Sequence, residues 1–440
     1  MFVSTTWKNK LERMPASFIS VYAAICSFCV YFCMYAFRKP FTAAGFEGLY
    51  FLKIDYKVWL VCAQLVGYML SKFYGIRFIA GMQPNKRANT IIVLIVFAWI
   101  MLLFFALTPS PYNIIFLLLN GFPLGMIWGL VFSYLEGRRT TEFMGAILSI
   151  SFIFSSGAVK TIGKNFILNH HISEFWMPFY TGAIFLVPLF VFTWLLNHTP
   201  SPTEQDIQLR SIRRPMTKEE RKKFICLFLP GIVVIVTTYV LLTILRDFRD
   251  NFSNELYTEL GYGNSASIFT ITETPVSLMV LLCMSLLIFI KNNKRAFLLN
   301  HVIIIAGYII ALISTLLFVS HVINPVWWMI LVGTGLYISY VPFNAIYFER
   351  MIATYKVQSN VGFIMYISDA FGYLGSVLIL FLKEFSGVQL SWTEFFINAV
   401  FIVTIIGIAG TIIAAIYFKR KHKLLFGLPS SSSNLTAHAA

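Results

Sequence analysis

Long apolar runs alternate with short polar ones along the whole chain. Twelve of them, centred within residues 17–39, 58–82, 89–108, 112–135, 141–163, 174–197, 223–245, 267–291, 296–319, 325–348, 358–382 and 394–418, suit helices crossing a membrane. A hydrocarbon core about 30 Å thick takes roughly 20 helical residues to cross. Inside lipid every backbone N–H and C=O needs an internal partner, so such runs predict transmembrane α-helices. The first run is too long for a removable signal peptide and lacks an Ala-x-Ala exit, so it reads as the first span. Composition agrees: 58% of the 440 residues are hydrophobic and 12% charged, with a mean hydropathy of +0.76, which excludes an ordinary soluble domain.

The longest polar interruption, "HTPSPTEQDIQLRSIRRPMTKEERKK", splits the runs six and six. The expected fold is therefore an all-α polytopic membrane protein, with twelve transmembrane helices in two pseudo-symmetric six-helix halves. Residues 1–197 and 223–418 are the halves, 198–222 a linker, and 419–440 a tail whose "GLPSSSSNLTAHAA" reads as disordered. Within the linker, "TKEERKKF" suits an amphipathic helix on the bilayer surface. Basic residues set the orientation. Lys8, Lys10, Arg13, Lys86, Arg87, Arg138, Lys294, Arg295, Arg350 and the tail lysines share one side, whereas the loops "TPSPY" and "SHVINP" on the other have none. Both termini are thus expected in the cytoplasm. The net charge of +15 is largely this bias, and it does not imply nucleic-acid binding.

Charges inside the apolar runs carry the chemistry. Arg38 follows Met14, at the start of the first span, by 24 residues, and Arg246 follows Lys222, at the start of the seventh, by the same 24. Two arginines at one depth in equivalent helices suggest a paired role, although each is also long enough to snorkel to the interface. Lys72 stands roughly fourteen residues into the second span, near mid-membrane at about 1.5 Å per residue, and Lys160 lies late in the fifth. Four cations from four spans are expected to line one cavity, where an anionic ligand would supply the counter-charge. Glu273 and Asp369 are the matching carboxylates, either proton-exchanging or paired with Arg246 or Lys72. Tyr340 and Asn344, with Tyr347, fall at i, i+4 and i+7 and offer a hydrogen-bonding face on the tenth span. Cys26, Cys29 and Cys33 share a helical face that suits a soft metal or, more simply, helix packing. No nucleotide-binding loop, zinc spacing or catalytic constellation is present in the sequence, so neither an enzyme nor a cofactor or metal is expected.

These residues resemble a known family. "YAFRKPF" at 35–41, "GYMLSKF" at 67–73 and "LLTILRDFRD" are similar to the first-, second- and seventh-helix motifs of the organophosphate:phosphate antiporters of the major facilitator superfamily. The resemblance implies that Arg38 and Arg246 grip phosphate from the two halves with Lys72 assisting. Two features depart from it: "GIRFIAGMQPNKRA" lacks the acidic residue of the gating motif, and no histidine stands near "SISFIFSSG". The pattern of "YVPFNAIYFERMIA" and "DAFGYLGSV" resembles more closely an uncharacterised bacterial family of facilitator-like proteins. Together these imply a secondary transporter of a small organic anion, a phosphate ester among the candidates, working as a monomer in the bacterial inner (plasma) membrane. A receptor or sensor on the same scaffold, binding without transport, is the alternative.

Overall fold

The computed structural model describes residues 4–138, 140–202, 206, 218–288, 290, 292–357, 361–385 and 390–426. A short α1 (Thr5–Glu12) precedes α2 (Ala16–Tyr35), α3 (Tyr56–Ala80), α4 (Arg87–Leu107), α5 (Ile114–Phe132), α6 (Thr141–His170) and α7 (Met177–Asn197). The second half holds α8 (Lys218–Asn251), a short α9 (Ser253–Glu259), α10 (Ile268–Ile288), α11 (Asn293–Val319), α12 (Pro325–Pro342), a short α13 (Phe348–Tyr355), α14 (Val361–Phe385) and α15 (Trp392–Phe426). Among the described residues nine of these, α2, α4 to α8, α10, α11 and α15, are long and apolar enough to cross a membrane. The other three long ones, α3, α12 and α14, fit the second, tenth and eleventh positions of the predicted order. Of these, α3 carries Lys57 and Lys72, α14 carries Asp369, Lys383 and Glu384, and α12 runs 18 residues into a π-helical turn at Phe343–Tyr347.

Outward-facing side chains such as Val93, Leu282 and Leu382 are exposed and apolar, the inverse of a soluble surface and suited to lipid tails. Packing inside relies on close backbone approach, because lipid supplies no hydrophobic drive between helices. A Cβ on Gly67 of α3 would lie 2.1 Å from the Leu118 carbonyl oxygen of α5, and one on Gly121 of α5 would lie 2.3 Å from that of Gln64. These two helices therefore touch main chain to main chain. Among these nine the most enclosed is α6, with 72% of its most apolar stretch buried against 33% for six of the other eight.

Two expectations at the edges change. The basic stretch expected to form a separate surface helix instead begins α8, which runs unbroken from Lys218; residues 207–217 lie outside the described residues. The tail is helical as far as Phe426, because α15 continues through its Lys-Arg-Lys cluster; residues 427–440 lie outside the described residues. Contacts also define one end of the bundle. Ser4 N–H donates to His198 Nε2 at 2.8 Å, the Arg138 guanidinium donates to the Pro200 carbonyl, and Arg350 meets both Asn293 and Glu142. We call this end the terminal face. The far face carries a two-residue hairpin, β1 (Tyr50–Phe51) on β2 (Ile54–Asp55), with Tyr50 opposite Asp55; Leu52 and Lys53 turn it at positive φ.

Candidate functional site

The site begins where α2 stops. Pro40 has no N–H to continue the helical ladder and its ring crowds the carbonyl four residues back, and the helix ends at Tyr35 in a loose turn in which both Arg38 and Lys39 N–H donate to the Tyr35 carbonyl. Carbonyls released by this break need partners. Gln64 Nε2 donates to the Arg38 carbonyl at 2.9 Å, and Asn120 Nδ2 donates to that of Phe37 at 3.0 Å. Gln64 also donates to Asn120 Oδ1 at 2.9 Å. This buried amide pair holds the turn so that Arg38 and Lys39, adjacent in sequence, serve different places.

Arg38 enters a cavity between the halves, a space of about 680 Å³ that includes open solvent. Lys72, Arg246, Tyr340 and Asp369 also line it, so five of the expected site residues converge. The arginines are held alike. The Arg38 guanidinium carbon lies 3.9 Å from the Tyr68 ring centre, and that of Arg246 lies 4.1 Å from the Tyr340 ring centre. Such stacking fixes the plane of the fork while leaving its N–H edge available. Their counter-charges differ. Arg246 pairs with Asp247 at 2.5 Å, whose other oxygen accepts from Ser376 at 2.9 Å. Lys72 pairs across the halves with Asp369 at 3.4 Å, which also accepts from the Tyr239 hydroxyl at 2.5 Å. Arg38 is 6% exposed; among the described residues its guanidinium has no carboxylate partner, and its Nε is buried without a hydrogen bond.

Aromatic rings form most of the remaining wall: Tyr31, Tyr35, Tyr68 and Trp128 with Phe152 from the first half, and Tyr340 with Tyr373 from the second. Sequence reasoning missed all of these but Tyr340. A signal was there, since Tyr31 and Tyr35 precede Arg38 by seven and three residues, Tyr68 precedes Lys72 by four, and Tyr373 follows Asp369 by four. In a helix such spacings share a face, so each charge marks its ring neighbours.

Lys160 and Glu273 go elsewhere. Lys160 does not line the cavity; it donates to Asp250 Oδ1 at 2.6 Å and Ser253 Oγ at 3.1 Å. Lys39 meets the same carboxylate at 2.5 Å and Asn251 Oδ1 at 2.6 Å. Nearer the far face, Lys57 donates to both oxygens of Glu255 at 2.5 and 2.7 Å, and Lys164 donates to Asn254 at 2.8 Å. Every one of these contacts joins a first-half cation to the end of α8 or to α9. They form a latch across the far side of the cavity, with Lys39, Lys57 and Lys160 at most 3% exposed. Glu273 pairs neither with Arg246 nor with Lys72 but with Arg249 at 2.7 Å, within the second half. At the terminal face the halves meet through Arg350 and Glu142 at 2.8 Å, whose carboxylate side chain is 32% exposed.

The expected Tyr340, Asn344 and Tyr347 face does not persist. The π-helical turn at Phe343–Tyr347 adds a residue to the turn and rotates the helix beyond it; Tyr347 instead bonds His301 Nε2 at 3.0 Å. The side chain of Asn344 lies outside the described residues. Among the described residues no three His, Cys, Asp or Glu side chains gather as a metal ion would need; Cys26 and Cys33 are buried in packing and Cys29 is half-buried.

This all-helical fold around a central cavity is shared by solved structures of major facilitator transporters, which superpose over nearly the whole chain. The nucleoside transporter NupG matches with a TM-score of 0.55 at 14% identity, covering 92% of this chain and 99% of that one. A D-xylose–proton symporter matches at 0.58 and 13%, covering 90% and 96%. The POT family transporter PepTSo matches at 0.58 and 14%, covering 92% and 98%. Through residues 40–421 the chain belongs to the Family of unknown function (DUF5690). No curated protein matches it in sequence. The resemblance to the organophosphate:phosphate antiporters finds no support in these matches.

Proposed function

We propose that this protein is a secondary transporter that moves a small organic anion by alternating access, with Arg38 and Arg246 gripping the anion from the two halves. The observation that carries this reading is Arg38: a permanent cation, buried in the cavity between the halves, with no carboxylate partner among the described residues. An uncompensated buried charge costs several kcal/mol, and an anion bound edge-on to its fork removes that cost. Lys72 adds positive potential. Asp369, shared between Lys72 and Tyr239, is the carboxylate on which proton coupling would fall. Lys160 and Glu273, expected in the site, act instead in the latch and in the framework of the second half.

The terminal face lies in the cytoplasm of a bacterial inner membrane in this reading, and the latch closes the outer side. The conformation then opens inward. Phosphate esters rest on the three motifs alone. The test is counterflow of anions in proteoliposomes containing the monomeric protein. Arg38→Ala and Arg246→Ala should each abolish uptake while leaving expression intact, and Arg38→Lys should lower it because the planar fork is lost. Unchanged uptake in both alanine variants refutes the clamp. Binding without exchange identifies the receptor alternative.

A further inference from the structure

The cavity's charge and its walls say more about the ligand than that it is an anion. Three cations belong to it, Arg38, Lys72 and Arg246, and two carboxylates answer them, Asp369 by its pairing with Lys72 and Asp247 by its pairing with Arg246. One positive charge remains, and it resides on Arg38. Lys39 and Lys160 do not line the cavity; both ammonium groups are turned onto Asp250 at 2.5 and 2.6 Å, and the one positive charge left over from that trio lies in the latch. A ligand with a second negative charge would therefore meet no free cation among the lining residues and would have to break an existing pair.

Seven of the thirteen lining residues among those described are aromatic. Tyr68 and Tyr340 lie under the guanidinium groups, and Tyr68 meets Tyr373 edge-on at 5.2 Å between ring centres. Trp128 is stacked on Phe132, which holds its ring in place. Among the described residues no lining side chain is an amide, whereas Gln64 and Asn120 nearby spend their donors on main-chain carbonyls and on each other. Fixed π faces favour a flat or ring-shaped body, and an arginine fork lying on a ring offers its edge to a planar group with two oxygens.

We infer that the ligand is a ring-bearing monocarboxylate, its carboxylate on Arg38 and its ring against the aromatic wall. This rests on the cavity being the binding site proposed above. It is tested by thermal unfolding of the full chain in detergent against benzoate, indole-3-acetate, phenyl phosphate, acetate and benzyl alcohol. Phenyl phosphate adds a second charge at neutral pH, its second pKa being about 6; acetate lacks the ring and benzyl alcohol the charge. Benzoate and indole-3-acetate should raise the unfolding midpoint, with apparent Kd values at least about tenfold below those of the other three. Arg38→Ala should erase the rise. Arg38→Lys, which keeps the charge if the alanine variant fails to fold, should weaken it about tenfold, and Trp128→Leu should narrow the advantage over acetate.

Tighter binding of phenyl phosphate, equal binding of acetate or benzyl alcohol, or no shift with either ring carboxylate overturns the inference. Counterflow is scored separately. Binding of benzoate without exchange upholds the ligand class and refutes transport, whereas exchange of a non-aromatic anion without benzoate binding does the reverse.

Discussion

Asp250 is the residue on which the latch turns. Asp250→Asn keeps the shape of the side chain and an oxygen able to accept from Ser156 and Lys160, but removes the only negative charge that Lys39 and Lys160 contact directly among the described residues. Both lysine side chains are 3% exposed and Asp250 14%, so water screens little of the loss. Removing one partner of a buried ion pair costs about 3–5 kcal/mol. That cost falls on the state closed at the far face, because an open state would hydrate the two ammonium groups. At about 1.4 kcal/mol per factor of ten, the closed-to-open ratio should drop by about a hundredfold to several thousandfold. Spin labels at Leu52→Cys and Asn264→Cys, exposed far-face positions in the two halves, report the opening by pulsed electron paramagnetic resonance in a background with exposed Cys226 replaced by Ser. The expected result is a longer distance population that is absent from the parent. Adding Lys160→Met should return part of the closed population by removing one stranded charge. An unchanged distance distribution in Asp250→Asn, with the protein still folded, refutes the argument that this carboxylate holds the halves together.

The terminal-face contact offers a contrast in size. Glu142 is about a third exposed, and an ion pair at such a site is worth about 0–1 kcal/mol, so Glu142→Gln should change the same distance distribution, labelled at that face, by less than about tenfold. Packing gives a harsher outcome. Gly67→Ala would place its Cβ 2.1 Å from a carbonyl oxygen that belongs to a helix and cannot swing aside; overpacking costs about 1–3 kcal/mol even where side chains can yield. Size-exclusion chromatography of that variant should show a marked loss of monodisperse protein, and a parent-like profile would mean that α3 and α5 can separate without harm.

Much of the architecture was legible because lipid leaves a chain few options. Runs of the right length predicted helices, and the polar stretch after residue 197 divided them. Arg38, Lys72, Arg246 and Asp369 stood out because each interrupts an apolar run, and depth along a helix comes from counting residues. Direction around the helix is harder to count. Lys160 and Glu273 lie at plausible depths, yet their partners, Asp250 and Arg249, stand about one turn or less from Arg246 on the same helix. Counting could not tell which cation each carboxylate would face. The first run extends to residue 39 in the sequence, whereas α2 ends at Tyr35, and where the freed carbonyls would go depended on Gln64 and Asn120 of two other helices. The π-helical turn after Pro342 was likewise silent: Tyr340 lines the cavity and Tyr347 meets His301, although a regular helix would have aligned them.

The short covalent distance between grip and latch limits how this protein can change. Arg38 and Lys39 are joined by one rigid peptide plane, and Arg246 and Asp250 are separated by about one helical turn. A substitution that re-aims either arginine for a new ligand therefore disturbs the groups that close the far face. In the proposed mechanism, selectivity and gating share the same few ångströms of backbone at the ends of α2 and α8. Altered specificity without a leak should be sought on the wall instead, at Trp128 or Met365, which line the cavity from helices that carry no member of the latch.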